Sequence, residues 1–255
     1  CRYTVSVGLL RYVENKLENI ENNIARMKEK SPESDELIYE NELQILIEVI
    51  TVKLNSRKAQ IQKALTFDLQ KNISLMSGEE ISQTMEFFHA FAEIETGVSV
   101  FLGAMLAYLA TTSLKLVQGV QGLTKLDAVN YFLSMVVIHV LVIKRTINTF
   151  RQQILPILNR GEDGIGQNRE TDNSGLISWC NNELAALVIK LKKHLYGTLV
   201  TPVTSSTEDE VVYQVKDMKL FNDFSGVLRS QLDQLKDLGV DMDYLFQEIF
   251  LLKFN

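Results

Sequence analysis

The stretch from residue 127 to 158, DAVNYFLSMVVIHVLVIKRTINTFRQQILPIL, constrains this chain more than any other, because apolar side chains run almost all the way round its first four turns. A helix with so little polar face has to sit inside other helices. Thr124 with Asp127 three residues on makes an approximate capping box at its start, and Pro156 followed by Gly161 marks its end. Its length decides its surroundings. Between Tyr131 and Ile143 lie 13 residues that include Ser134 and His139, whereas a membrane span needs about 20 residues nearly free of polar groups. The expectation is a buried central helix with the other helices packed around it.

The flanking sequence supplies those helices. Leu10, Val13, Leu17, Ile20, Ile24 and Met27 step by threes and fours along one narrow seam, and Ser31 and Pro32 stop the run. A second seam follows through Leu43, Ile47, Ile50, Leu54, Ile61 and Leu65, with Arg57 interrupting it. The two runs predict a long antiparallel hairpin, its seam closed within the chain or open to another chain. Ser77 and Glu80 read as a capping box for a helix through Phe87, Phe88, Phe91 and Ile94, and another helix runs from about 98 to 118. Gly119 and Gly122 then interrupt the pattern, which places a boundary between a first bundle, 1–122, and a second, 123–255.

After the central helix, RGEDGIGQNRETDNS at 160–174 carries three glycines and no apolar period, so it reads as a loop. Its GxxGxG is not a dinucleotide fingerprint, because that motif follows a strand and no strand is predicted anywhere in the chain. It lacks the alternating acidic ligands of a calcium loop as well. Asn173 or Ser174 caps the next helix, which carries Leu176, Trp179, Leu184, Leu187 and Leu191. Thr207 and Glu210 then predict the start of a helix over about 208–238 that ends at Gly239, and Asp241 caps a short last helix.

A search for chemistry along these helices returns little. The three histidines are scattered, and His139, inside the most apolar helix, reads as a core histidine. No Cys or His pair has metal-ligand spacing, and Cys180 beside Trp179 has no identifiable base, so neither a cofactor, a metal site nor an enzyme is expected. Two cysteines are too few for a disulfide scaffold, which fits a reducing cytosol, and the absence of an initiator Met before Cys1 suggests a fragment of something longer. A net charge of -6 argues against nucleic acid as a partner. Two basic clusters remain: Lys144, Arg145 and Arg151 late in the central helix, and Lys190, Lys192 and Lys193 on the helix after it. If those helices are antiparallel, the clusters lie at opposite ends. They read as a solvated face, with contact to an acidic partner or an anionic membrane surface as the alternative.

The order of motifs resembles the C-terminal helical region of fungal members of the exocyst subunit family called Exo-eighty-four. VSVFLGAMLAYLATTSLKLVQ followed by AVNYFLSMVVIHVLVIKRTINTF is similar to two successive helices of that family, with Tyr131, Leu133, Ser134, Thr146 and Phe150 on its pattern. SGLISWCNNEL, with Ser174, Trp179 and Glu183, resembles its serine-to-tryptophan helix start, and LRSQLDQLKDLGVDMDYLF its closing segment. The resemblance implies an all-α fold, an elongated rod of two consecutive helical bundles of the tethering-complex (CATCHR-like) type. It implies a non-enzymatic subunit of a complex that holds secretory vesicles at the plasma membrane before fusion. The implied partners are other exocyst subunits and, through the full-length protein, SNARE or small-GTPase regulators. The implied location is the cytoplasm, with peripheral recruitment to vesicles and sites of exocytosis. No family binding residue is carried onto this chain. A helical domain acting on anionic membranes through the basic clusters is the alternative from another class.

Overall fold

A computed structural model of the 255-residue chain describes residues 3–30, 36–118, 125–161, 174–204, 211–241 and 243–244. The side chains described are those of 3–26, 41–115, 129–160, 174–192, 199–200, 214–241 and 243–244. The fold is all-α: among the described residues eight helices, α1 (Thr4–Lys30), α2 (Glu36–Leu75), α3 (Gly78–Ala90), α4 (Ile94–Gln118), α5 (Lys125–Thr149), α6 (Leu155–Leu158), α7 (Ser174–Leu199) and α8 (Met218–Lys236), account for most of the chain. By contact the chain divides into two units, Cys1–Phe101 and Leu102–Asn255. That division falls inside α4, where the glycine-bearing turn expected to separate the bundles lies at 119–122, outside the described residues.

In the first unit α1 and α2 form the expected antiparallel hairpin. The Tyr3 hydroxyl donates to Asp68 at 2.6 Å and Lys58 donates to Glu14 at 3.5 Å, so the start of one helix lies beside the end of the other. The seam closes most fully at one end. Val7, Leu17, Leu65, Leu69 and Ile73 are buried, and with Ile81, Met85 and Phe88 of α3 they make the core, whereas toward the far end Ile47 is buried but Ile20, Leu43 and Ile50 stay exposed. Tyr3 meets Phe87 edge-on at 5.6 Å, tying α1 to α3 as well.

The turns here depend on backbone geometry that the sequence does not advertise. α2 and α3 each end in a Schellman motif whose left-handed residue is not glycine: Met76 at φ 58° and Ala92 at φ 57°. The Ser77 N–H reaches the Asn72 carbonyl and the Glu93 N–H the Phe88 carbonyl, which satisfies the orphan carbonyls of each helix end. Ser77 does occupy the N-cap of α3, but its side chain makes no capping bond, so the expected capping box is absent. Next to it, Gly97 in the first turn of α4 leaves room for Phe88: a Cβ there would stand 2.9 Å from the Phe88 ring.

In the second unit α5 is the buried helix its composition requires. Among its described side chains only a narrow outer stripe, Asn130, Ser134, Val137, Leu141, Arg145 and Asn148, is exposed; Val136, Val140, Ile143, Ile147 and Phe150 are fully enclosed. α7 and α8 both pack on α5. The helix does not stop at Pro156. A π-turn at Phe150–Ile154, with the Leu155 N–H bonded to the Phe150 carbonyl, opens the spiral just where the proline ring would meet the Gln152 carbonyl, and helix resumes as α6. Two runs, Ile94–Lys115 and Val129–Leu158, are long and apolar enough to cross a membrane. In the second, length and composition thus go further than the 13-residue count, but His139 and Thr146 are buried in it and its apolar faces meet α7 and α8.

One expectation is overturned. No strand was expected and a helix was expected over 208–238, whereas Val200–Thr204 (β1) and Val211–Val215 (β2) form an antiparallel pair with Val200 opposite Val215 and Thr204 opposite Val211. The β-branched runs VTPVT and VVYQV favour extended backbone, and Pro202 is tolerated because a two-stranded ribbon consists only of edges. α8 therefore begins at Met218, where the Asp217 side chain accepts from the Leu220 N–H at 3.0 Å; Thr207 and Glu210 lie outside the described residues. Its end agrees with the expectation. Gly239 takes φ 77°, and the Val240 N–H closes on the Leu235 carbonyl.

Candidate partner-binding surfaces

The polar groups of α5 are satisfied inside their own helix. His139 Nδ1 lies 2.8 Å from the Met135 carbonyl, and because a carbonyl only accepts, that nitrogen carries the proton. The Thr146 hydroxyl donates to the Val142 carbonyl at 2.9 Å in the same way. Burial, and secondarily the nearby Lys190 charge, push the His139 pKa down to about 4, against the hydrogen bond to Met135, so the ring is neutral at physiological pH. The Cys180 thiol is pushed up to about 12, first by burial, with Arg151 opposing, which makes it a packing residue and a poor nucleophile. Among the described residues no group of three His, Cys, Asp or Glu side chains could hold a metal ion.

These electrostatic neighbours also orient the helices. Arg151 acts on Cys180 and Lys190 on His139, so α7 runs antiparallel to α5. Arg151 is thus separated from the level of Lys190 by about 18 Å of helix, from twelve residues at the usual rise, whereas Lys144 and Arg145 lie five and six residues, about 8 to 9 Å, from that level.

Of the sequence-expected cations, two are directed at α8. Lys144 donates to the Gln234 amide oxygen at 2.9 Å, and the Arg151 guanidinium donates to the Leu238 carbonyl at 2.7 Å, at the C-terminal end of α8 where the helix dipole is negative. Arg145 and Lys190 are exposed and Lys192 is half-buried. The Lys193 side chain lies outside the described residues.

Sequence reasoning missed a different surface. The first half of α2 is apolar on two sides. Leu43, Ile47, Ile50 and Leu54 form the seam toward α1, and Ile45, Val49 and Val52, spaced by four and three on the opposite side, are 61%, 47% and 68% exposed. Leu46, 57% exposed, joins the two sides. The signal was available as a second apolar row at helical spacing, but one seam was enough to explain a hairpin.

No family model matches the chain. It is 38% identical over 256 aligned residues, 99% of its own length, to the protein named exocyst complex component EXO84 of Candida albicans (strain SC5314 / ATCC MYA-2876), and it spans 31% of that relative's length. Identity at that level along the whole chain, together with the all-helical fold, means that the chain belongs to the EXO84 family of exocyst components, as a region of the longer protein.

Proposed function

We propose that this chain is a non-catalytic assembly region of an exocyst subunit, and that the complex it joins tethers secretory vesicles to the plasma membrane. The carrying observation is the 38% identity to the Candida albicans EXO84 over 99% of the chain. What the residues add is consistent with contact rather than catalysis: the buried titratable groups described are a neutral histidine and an inert thiol, and the exposed groups include apolar rows and scattered charges of both signs. Its partners are other exocyst subunits, with SNARE or small-GTPase regulators reached through the full-length protein. The setting is the cytoplasmic face of vesicles and of sites of exocytosis.

Within the second unit, an acidic partner would meet Arg145 and Lys190, the exposed members of the two clusters. Lys144 and Arg151 serve the packing of α8 first. The test is a pull-down of the purified chain against each exocyst subunit separately. Retention of at least one subunit, weakened by Arg145→Glu with Lys190→Glu, supports both statements; retention of none removes the assembly reading.

A further inference from the structure

We propose that the outward face of the second half of α2, from Lys53 to Lys71, is a docking site for an acidic amphipathic helix of another protein chain. Lys53, Arg57, Gln60, Ala64, Phe67 and Lys71 follow one another by fours and threes, a single line about 27 Å long from eighteen residues at the usual rise. The line runs opposite Leu65, Leu69 and Ile73, the buried side that α1 and α3 cover. Phe67 on it is 67% exposed, and Lys63 and Lys71, one turn to either side, are exposed as well.

Charge decides what fits there. Between Lys53 and Leu75 α2 carries Lys53, Arg57, Lys58, Lys63 and Lys71 against one carboxylate, Asp68. The two groups turned toward α1 are already answered: Lys58 donates to Glu14, and Asp68 accepts from the Tyr3 hydroxyl. The four outward cations are exposed. Arg57 donates to Gln60 Oε1 at 3.0 Å along the same line, and among the described residues no carboxylate forms an ion pair with any of the four. The exposed carboxylates around them are Glu42 and Glu48, more than a turn before Lys53 on α2, Glu18 and Glu21 on α1, and Glu79, Glu80 and Glu86 on α3. Since α1 and α3 pack on the opposite side, the row itself stays basic. A helix laid along it meets uncharged Gln60, Ala64 and Phe67 at the middle, where the small Ala64 permits close approach and Phe67 offers its ring to an apolar residue. Toward both ends it meets cations, which attract aspartate or glutamate and repel lysine. An anionic membrane is the poorer occupant, because a plane answers to the whole molecule, whose net charge is -6, whereas a helix answers to the row it covers. A second copy joined two-fold through this row would set cation against cation.

This rests on the reading of the chain as an assembly region, and it names the surface and the chemistry of what binds there. The probe is a synthetic three-heptad helix with leucine at its seam positions and glutamate flanking them, titrated against the full 255-residue chain by fluorescence anisotropy. A companion peptide carries lysine at the flanking positions. The expected result is binding of the glutamate peptide that weakens in high salt, about tenfold weaker binding of the lysine peptide, and about tenfold loss when Lys63→Glu and Lys71→Glu are combined. Both side chains are exposed, so unchanged helical circular dichroism accompanies the double variant. Arg145→Glu with Lys190→Glu, in the other unit, leaves the affinity as it was. Equal affinity for the two peptides, binding that the α2 double variant leaves intact, or the same loss from the Arg145 and Lys190 pair overturns the proposal. So does co-sedimentation with phosphatidylserine vesicles that the α2 double variant abolishes, because the face then belongs to a membrane, or a dimer of the wild-type chain that the same variant dissolves, because it then belongs to a second copy. The subunit pull-down reads out the assembly role by itself: retained subunits with no peptide binding would leave that role standing and remove this site.

Discussion

The Arg151 guanidinium, within the π-turn of the central helix, donates to the carbonyl of Leu238 at 2.7 Å, 87 residues further along the chain. The bond caps the end of α8 with a positive charge at the negative pole of its dipole. Gly239 follows immediately at φ 77°, and a Cβ there would make only ordinary van der Waals contact with the guanidinium, at 3.7 Å, so it is the backbone conformation that favours glycine. Arg151→Met removes the donor and keeps most of the aliphatic stem, so it should lower stability by about 1 kcal/mol. Urea denaturation of the two proteins side by side measures this, and an unchanged midpoint would show the bond to be dispensable.

Trp179 is buried on α7, the helix that packs against α5, and its indole Nε1 has no hydrogen-bond partner. Trp179→Ala should cost about 3 to 5 kcal/mol through the cavity it leaves. Trp179→Phe loses no hydrogen bond and keeps an aromatic ring, so its cost should be less than half of that. Reversible denaturation distinguishes the two; a loss below about 1 kcal/mol for the alanine variant would mean the site is not core.

Ala92 holds a left-handed conformation that glycine adopts freely, and it is exposed, so its methyl group contributes little packing. Ala92→Gly should stabilise the chain by about 0.5 to 1 kcal/mol, and Gly239→Ala, at φ 77°, should destabilise it by a similar amount. Opposite shifts in the melting temperatures of the two variants are the expected outcome. A fall with Ala92→Gly would show that the methyl group packs after all.

His139 makes the fold acid-sensitive. Its folded pKa is depressed to about 4 while the unfolded chain titrates near 6.5. Above 6.5 the ring is neutral in both states; as the pH falls below 6.5 the unfolded chain binds the proton first and stability declines. The decline levels off near pH 4, where the folded ring also protonates, after a total loss of about 3 kcal/mol. Denaturant midpoints at stepped pH for the wild type and His139→Gln test it. A wild-type slope between pH 6.5 and 4 no steeper than the variant's would contradict the assignment.

Apolar periodicity along the sequence was enough to determine the all-α class, the buried helix at 127–158 and the hairpin of its first 75 residues, because a helix records which of its faces is buried once every 3.6 residues. Gly239 and the Asp241 cap were legible for a related reason: each satisfies its own neighbouring backbone, as the Asp243 N–H donating to Asp241 shows. The strands at 200–204 and 211–215 were not legible, since a five-residue valine-rich run is compatible with helix or strand until a partner strand lies beside it. Met76 and Ala92 could not be identified as left-handed caps, because nothing in either side chain demands that conformation and only the packing of α2, α3 and α4 imposes it. The same holds for the cations. Lys144 and Arg151 sit in one basic cluster by sequence, yet their meaning comes from Gln234 and Leu238, about ninety residues away. The outward row of α2 lies between these cases: its spacing is written in the sequence, and only the packing of α1 on the other side decides that Ile45, Val49 and Val52 face solvent.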